Sequence, residues 1–214
     1  MGAQKLWGGA VKTLVYLAHP RPDRSEINGP LYDAARSLEG VSAVDLYAEY
    51  PSFEIDIDRE QQRLLGHDAI VFLHPLYWYS GPAILKEWQD LVLEHGFAYG
   101  HEGHALDGKI ALNAVSCGAP AEAYTPKGAN GAHLRDLLAP FEKTFDLCRM
   151  HYLAPFALFS SGRAREQGRD RAHIAEWQSL LAALREDRLD LESAKSALLL
   201  NDITQTFTLA PEMS

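Results

Sequence analysis

Short apolar runs in this sequence alternate with stretches whose apolar residues recur at helical spacing. Ala69-Ile70-Val71-Phe72-Leu73 is apolar at every position, the mark of a strand covered on both faces. Thr13 to Ala18 reads as another short buried strand, and Val41 to Tyr47 as a weaker one. Ile110 to Ser116 and Tyr152 to Phe159 supply the fourth and fifth. From Ile27, the positions Leu31, Ala34, Ala35 and Leu38 follow a helical period, and Gly40 stops them. Asp58 to Leu65 reads as a short helix ended by Gly66. Pro82 sits at a first-turn position, where its missing N–H costs nothing. Ile84, Leu85, Trp88, Leu91, Val92 and His95 then share one side, and Gly96 closes that helix. A helical pattern over His133 to Leu147 is expected to kink at Pro140. Ile174, Trp177, Leu181 and Leu184 mark the last amphipathic helix. Such alternation implies parallel pairing through right-handed crossovers. The expectation is a doubly wound five-stranded α/β sheet over residues 11–185, with helices on both faces. A Gly-rich flexible arm (1–10) precedes it. A tail (186–214) follows, whose Ala197–Leu200 patch and Phe207 are expected to pack on the domain or on a partner subunit.

Charge narrows the partners. With 20 basic and 29 acidic side chains the net charge is -9, and no Lys/Arg run interrupts it. Such a surface repels nucleic acid. No stretch reaches the ~18 apolar residues of a membrane span, and the first ten residues lack the apolar core of a secretory signal. The only cysteines, Cys117 and Cys148, form no CxxC, so neither a metal nor a disulfide framework is indicated. A soluble cytoplasmic protein is expected.

Several sharper motifs fail on context. Gly103 to Lys109 matches GxxxxGK, but Ile110 stands where Ser or Thr would bind magnesium, and the run precedes a strand. His101-Glu102-Gly103-His104 has the wrong spacing for HExxH. No GxGxxG follows the first strand, and no GxSxG elbow exists.

In a sheet of this kind, ligands sit outside the carboxyl ends of the strands. The loop after the first strand, His19 to Asn28, places Ser25 and Asn28 at a helix start, where backbone N–H groups are free for a phosphate. The loop after the third, His74 to Pro82, holds Tyr77-Trp78-Tyr79. The loop after the fourth, Ser116-Cys117-Gly118-Ala119-Pro120, is small enough for its backbone to approach a flat ligand. Each has a plainer reading: helix caps, interface aromatics and a small buried cysteine. Together they meet the requirement of a flavin mononucleotide, with a phosphate at one end and a planar ring between two loops.

Tyr16-Leu17-Ala18-His19-Pro20, Ser25, Asn28, and His74-Pro75-Leu76-Tyr77-Trp78-Tyr79-Ser80 leading into Leu85-Lys86-Glu87-Trp88 resemble the flavodoxin-like NAD(P)H:quinone oxidoreductases. Gly96 to Gly100 and Cys148 to His151 point to the branch of ancillary proteins of glutathione-regulated potassium-efflux systems. The resemblance implies strand order 2-1-3-4-5 and bound FMN in preference to FAD, with NAD(P)H as co-substrate. It also implies a homodimer and a quinone or other small flat acceptor reduced in a ping-pong cycle. His19, Ser25, Glu26, Ile27 and Asn28 match the flavin-phosphate segment. Pro75, Leu76, Tyr77 and Trp78 match the loop along the ribityl chain and ring. Ser116, Cys117, Gly118 and Ala119 match the third flavin loop. Tyr124 matches a substrate-facing tyrosine. Asn130 stands where those enzymes carry a proton-partner histidine; it can hydrogen-bond a quinone oxygen but cannot titrate. The alternative implied by the same branch is a regulatory subunit that binds flavin or nucleotide and activates a potassium-efflux antiporter. That role would bring the protein to the inner face of the membrane through its partner.

Overall fold

The computed structural model describes residues 9–207, so most of the expected N-terminal arm and the end of the tail lie outside the described residues. The strands are β1 (Thr13–Leu17), β2 (Val41–Asp45), β3 (Ala69–Pro75), β4 (Ile110–Ser116), β5 (His151–Tyr152) and β6 (Phe156–Leu158). All pair in parallel, in the order β2-β1-β3-β4-β5, and β6 continues the same edge beside β4. Every residue of β1, β3 and β4 is buried, which is why these strands read as uninterrupted runs. Their side chains alternate between two cores. Leu14, Tyr16, Ile70 and Phe72 face one, while Val15, Leu17, Val71 and Leu73 face the other.

The helices are α1 (Asn28–Arg36), α2 (Leu46–Glu49), α3 (Ile57–Leu65), α4 (Ala83–Val92), α5 (Leu134–Leu137), α6 (Ala139–Leu147), α7 (Ser161–Ala164), α8 (Arg169–Arg185) and α9 (Leu191–Ser196). Helices α2 to α6 cover the first core, and α1, α7, α8 and α9 the second. Under α3 lies a fully buried carboxylate, Glu60. It accepts hydrogen bonds from the Tyr50 hydroxyl at 2.6 Å and from Trp88 Nε1 at 3.0 Å, and also from the Tyr16 hydroxyl and the Arg63 guanidinium.

Four boundaries differ from the sequence reading, each for a local reason. β2 stops at Asp45, whose carboxylate caps α2 by accepting from the Tyr47 and Ala48 N–H groups at 3.0 and 3.2 Å. The fifth strand is two short pieces, because Pro155 has no N–H to continue a ladder. Helix α4 starts after Pro82 and ends at Val92, three residues before His95. Gly100, at φ +90°, lies so close to the His95 ring that an added Cβ would meet Nε2 at 2.5 Å. The pattern over 133–147 is two helices broken at Leu138, and Pro140 falls in the first turn of the second, where it is tolerated.

Residues 186–207 fold back on the domain. Ala194, Leu200 and Phe207 join the second core. Arg135 on α5 donates to the Lys195 and Ala197 carbonyls at 2.5 and 2.6 Å. At the outer edge of β6, Asn201 Oδ1 accepts the Ala157 N–H at 2.8 Å, and Arg169 donates to the Phe159 carbonyl at 3.0 Å. No helix among the described residues is long and apolar enough to cross a membrane.

Candidate active site

The loops leaving β1, β3 and β4 meet at the carboxyl end of the sheet, and the loop leaving β6 joins them. Between the first and last of these is a cavity of about 260 Å³ lined by Arg24 to Asn28, Ser116, Ser161 and Gly162. Ser25 Oγ accepts the Gly29 N–H at 3.2 Å and so ties the loop to the first turn of α1. Asn28 is 1% exposed. Its Oδ1 accepts the Ser116 hydroxyl at 2.6 Å, but its Nδ2 has no partner. A buried amide N–H₂ without an acceptor costs about 1–3 kcal/mol, so its presence at a cavity wall points to an acceptor-rich occupant. Arg24 adds a positive charge at the rim.

The second loop is an aromatic hairpin. Tyr77 and Ser80 exchange two backbone hydrogen bonds, each 3.0 Å. The residues between them, Trp78 and Tyr79, both lie in the left-handed region, at φ +49° and +63°. Two consecutive positive-φ residues make the turn that a tight hairpin favours, though these L-aromatics carry a conformational cost that glycine would not. The result displays Trp78, 93% exposed, with Tyr77 and Tyr79 beside it. The Leu76 N–H donates to the Ser116 carbonyl at 2.9 Å, which joins the second loop to the third. His19 approaches Tyr77 with ring centroids 6.3 Å apart, and burial lowers its pKa.

The third loop is held from behind. The Ser161 and Ser160 N–H groups donate to the Cys117 and Ala119 carbonyls at 2.9 and 3.0 Å. A Cβ added at Gly118 would meet nothing within 4 Å, so this backbone faces open space. The Cys117 side chain is fully buried in the first core, which Tyr124 shares. Tyr124 is 8% exposed and packs on Phe159 at 5.2 Å. Burial pushes the Cys117 thiol and the Tyr124 hydroxyl each up to about 12. Asn130 is half-buried in the same loop, with its N–H on the Ala123 carbonyl at 3.0 Å.

A thiol with pKa near 12 has about one thiolate in 10⁴ at pH 8, and so is a poor nucleophile. Burial also pushes Cys148 up to about 11. Both cysteines should therefore resist iodoacetamide in the folded protein and label rapidly once it is denatured. Mass spectrometry reads the difference, and fast labelling of Cys117 in the native state would give the sulfur a chemical role.

Arg24, Ser161 and Gly162 are the cavity residues that the sequence reading omitted. The available signal was the small polar run Ser160-Ser161-Gly162 directly after the last strand, equivalent in place to the loops that were read. The elements His101 to His104 serve the loop instead: His104 bonds Asp107 and the His101 carbonyl through its two ring nitrogens. Among the described residues no group of three or more His, Cys, Asp or Glu is gathered as a metal site.

Residues 11–181 match the model of a protein family described by its flavodoxin-like fold. The chain belongs to that family. Among its relatives is the glutathione-regulated potassium-efflux system ancillary protein KefG of Pectobacterium carotovorum. It is 48% identical over 152 residues, which make up 71% of this chain and 83% of the relative. Two solved structures share the fold closely. General stress protein 14 of Treponema denticola, in complex with FMN, has TM-score 0.76 and 38% identity, covering 81% of this chain and 99% of that one. An NADPH-quinone reductase from P. pentosaceus has TM-score 0.71 and 31% identity, covering 79% and 97%.

Proposed function

We propose that this protein is an FMN-dependent NAD(P)H:quinone oxidoreductase. The observation that carries the reading is the unpartnered Nδ2 of Asn28 at the wall of the 260 Å³ cavity, which fits the acceptor oxygens of a flavin phosphate. The FMN complex of one related structure and the quinone reductase activity named for another support it. Ser25, Asn28, the backbone of Glu26 and Ile27, and Ser116 would hold the phosphate end, with Arg24 and Ser161 beside them. Pro75 to Trp78 and Cys117 to Ala119 would hold the ribityl chain and ring, and His19 closes the corner between the first two loops. FMN, when bound, supplies two-electron transfer from NAD(P)H to a quinone by a ping-pong cycle. The chain's own part is positioning and exclusion of water. Tyr77, Trp78 and Tyr79 offer flat walls for a planar acceptor at low entropy cost. Tyr124 packs on Phe159 behind the third loop, and Asn130 lies in the same loop as a non-titrating polar group.

The exposed aromatics also suit a contact with a second copy of the chain, making a homodimer. The alternative reading, an ancillary subunit of a potassium-efflux antiporter located at the inner membrane face, is favoured by the 48% identity to KefG. It is compatible with flavin binding.

The test is an absorbance spectrum of the purified protein with mass identification of any released chromophore, followed by anaerobic addition of NAD(P)H. A flavin band that bleaches and returns when a soluble quinone is added is the expected result. A colourless protein that takes up no FMN would overturn the enzyme reading. Bound flavin that NAD(P)H does not reduce would leave the ancillary role.

A further inference from the structure

The aromatic hairpin contains two left-handed L-residues, Trp78 and Tyr79, a backbone conformation that is strained for side chains of this size. Such a conformation persists only where its surroundings determine it. Beneath it lies His74, fully buried, which touches both ends of the loop. Its Nδ1 is 2.9 Å from the Pro75 carbonyl, so it carries the proton and donates it there. Its ring also packs under Gly81, where an added Cβ would lie 3.6 Å from Cε1. Burial holds His74 neutral, with its pKa lowered to about 4. The remaining nitrogen, Nε2, therefore accepts, and the Asn113 amide donates to it at 2.9 Å. Asn113 Oδ1 in turn accepts the Tyr152 hydroxyl at 2.8 Å. All three residues are buried, on neighbouring strands β3, β4 and β5, in a core that is otherwise rings and aliphatic chains apart from the separate Glu60 cluster. An isolated polar chain in such a place is demanding to satisfy, and here each link fixes the next. The Tyr152 hydroxyl sets which way the Asn113 amide faces, and the amide sets the His74 tautomer. The tautomer fixes the Pro75 carbonyl, at the point where the chain turns into the hairpin.

We propose that Tyr152, Asn113 and His74 form a buried relay of positioning residues that holds the Tyr77–Ser80 hairpin in its strained, ligand-facing shape. Its effect on turnover rests on the flavin reading above; its effect on the hairpin does not.

Hydrogen exchange on the flavin-free protein separates the two. The Tyr77 and Ser80 N–H groups each donate to the other's carbonyl across the hairpin; Tyr152→Phe breaks one link of the relay and His74→Phe two, and both keep an aromatic ring in place. Both should speed exchange at Tyr77 and Ser80 by about tenfold or more, with the Tyr16 and Phe72 amides in the sheet unchanged. In the FMN-loaded protein, the same variants should raise KM for a soluble quinone several-fold with a smaller change in kcat, and should shift the visible flavin spectrum. Hairpin exchange equal to wild type in both variants overturns the proposal. A uniform rise across the sheet does so as well, since that marks general loosening. If the hairpin loosens while the wild-type protein binds no FMN, the relay stands and the enzymatic reading falls.

Discussion

Replacing Glu60 with alanine will lower the stability of the fold by about 3–5 kcal/mol, the range for breaking a buried charged network from one side. For a chain of this size that is roughly 6–20 °C in melting temperature. The reason is the number of groups that depend on one carboxylate. Tyr16, Tyr50 and Trp88 each send a polar hydrogen to it from within the apolar core, and Arg63 reaches it from the rim. Alanine leaves these donors without an acceptor, and each orphan carries its own desolvation cost. Glu60→Gln, which keeps one oxygen, should fall between alanine and wild type. Urea titration measures all three, and a loss below about 1 kcal/mol for alanine would show that water replaces the carboxylate. A pH dependence follows. Burial, and then proximity to Glu60, hold the Tyr16 and Tyr50 hydroxyls well above the usual tyrosine range. A raised value in the folded state gives stability that is complete below the unfolded tyrosine value near 10. That stability is lost as pH climbs through the higher folded values. Wild type should therefore weaken steeply above about pH 10, and Glu60→Ala less steeply, since part of the linkage is gone.

Asn28→Leu should separate ligand affinity from stability. Leucine has similar bulk and removes the unpartnered Nδ2, while the Ser116 hydroxyl loses its acceptor. These changes oppose each other, so the flavin-free protein should stay within about 1 kcal/mol of wild type. A hydrogen bond to a charged phosphate is worth about 1.5–3 kcal/mol. FMN affinity should accordingly fall roughly ten- to 150-fold, measurable by quenching of flavin fluorescence. Adding Ser25→Ala should weaken it further. An Asn28→Leu protein that binds FMN as wild type does would remove the phosphate from this cavity.

The central strands were legible because parallel strands buried on both faces are predominantly apolar and rich in β-branched and aromatic residues; the equally long run Leu180–Leu184 lacks that composition and continues the helical period of Ile174 and Trp177. Where a strand or helix ended was less legible, because ends are set by side-chain bonds such as the Asp45 cap and by the three-dimensional place of Pro140 and Pro155. The loops of the candidate site could be named from the rule that ligands gather at the carboxyl ends of the strands. The fourth loop, Ser160-Ser161-Gly162, carries no aromatic and no long side chain, and only its fold back over the Cys117 and Ala119 carbonyls brings it to the cavity. Glu60 was overlooked although it shares the inward side of its helix with Leu64. A carboxylate in a helix usually faces water, and only the distant partners Tyr16 and Trp88 make its burial tolerable. Asn113 carries the same lesson. It is a polar residue in the middle of an otherwise apolar strand, explicable only once His74 and Tyr152 stand on either side of it.

The outer rim of β6 has a consequence for assembly. Asn201 takes the Ala157 N–H on β6 and Arg169 the Phe159 carbonyl just beyond it, so side chains of the same chain already occupy backbone groups that a foreign strand would need to extend the sheet there. A partner approaching there must recognise side chains. The broad aromatic display lies elsewhere, at the mouth formed by the strand ends. Recognition by another protein and entry of a small molecule would then compete for the same few rings.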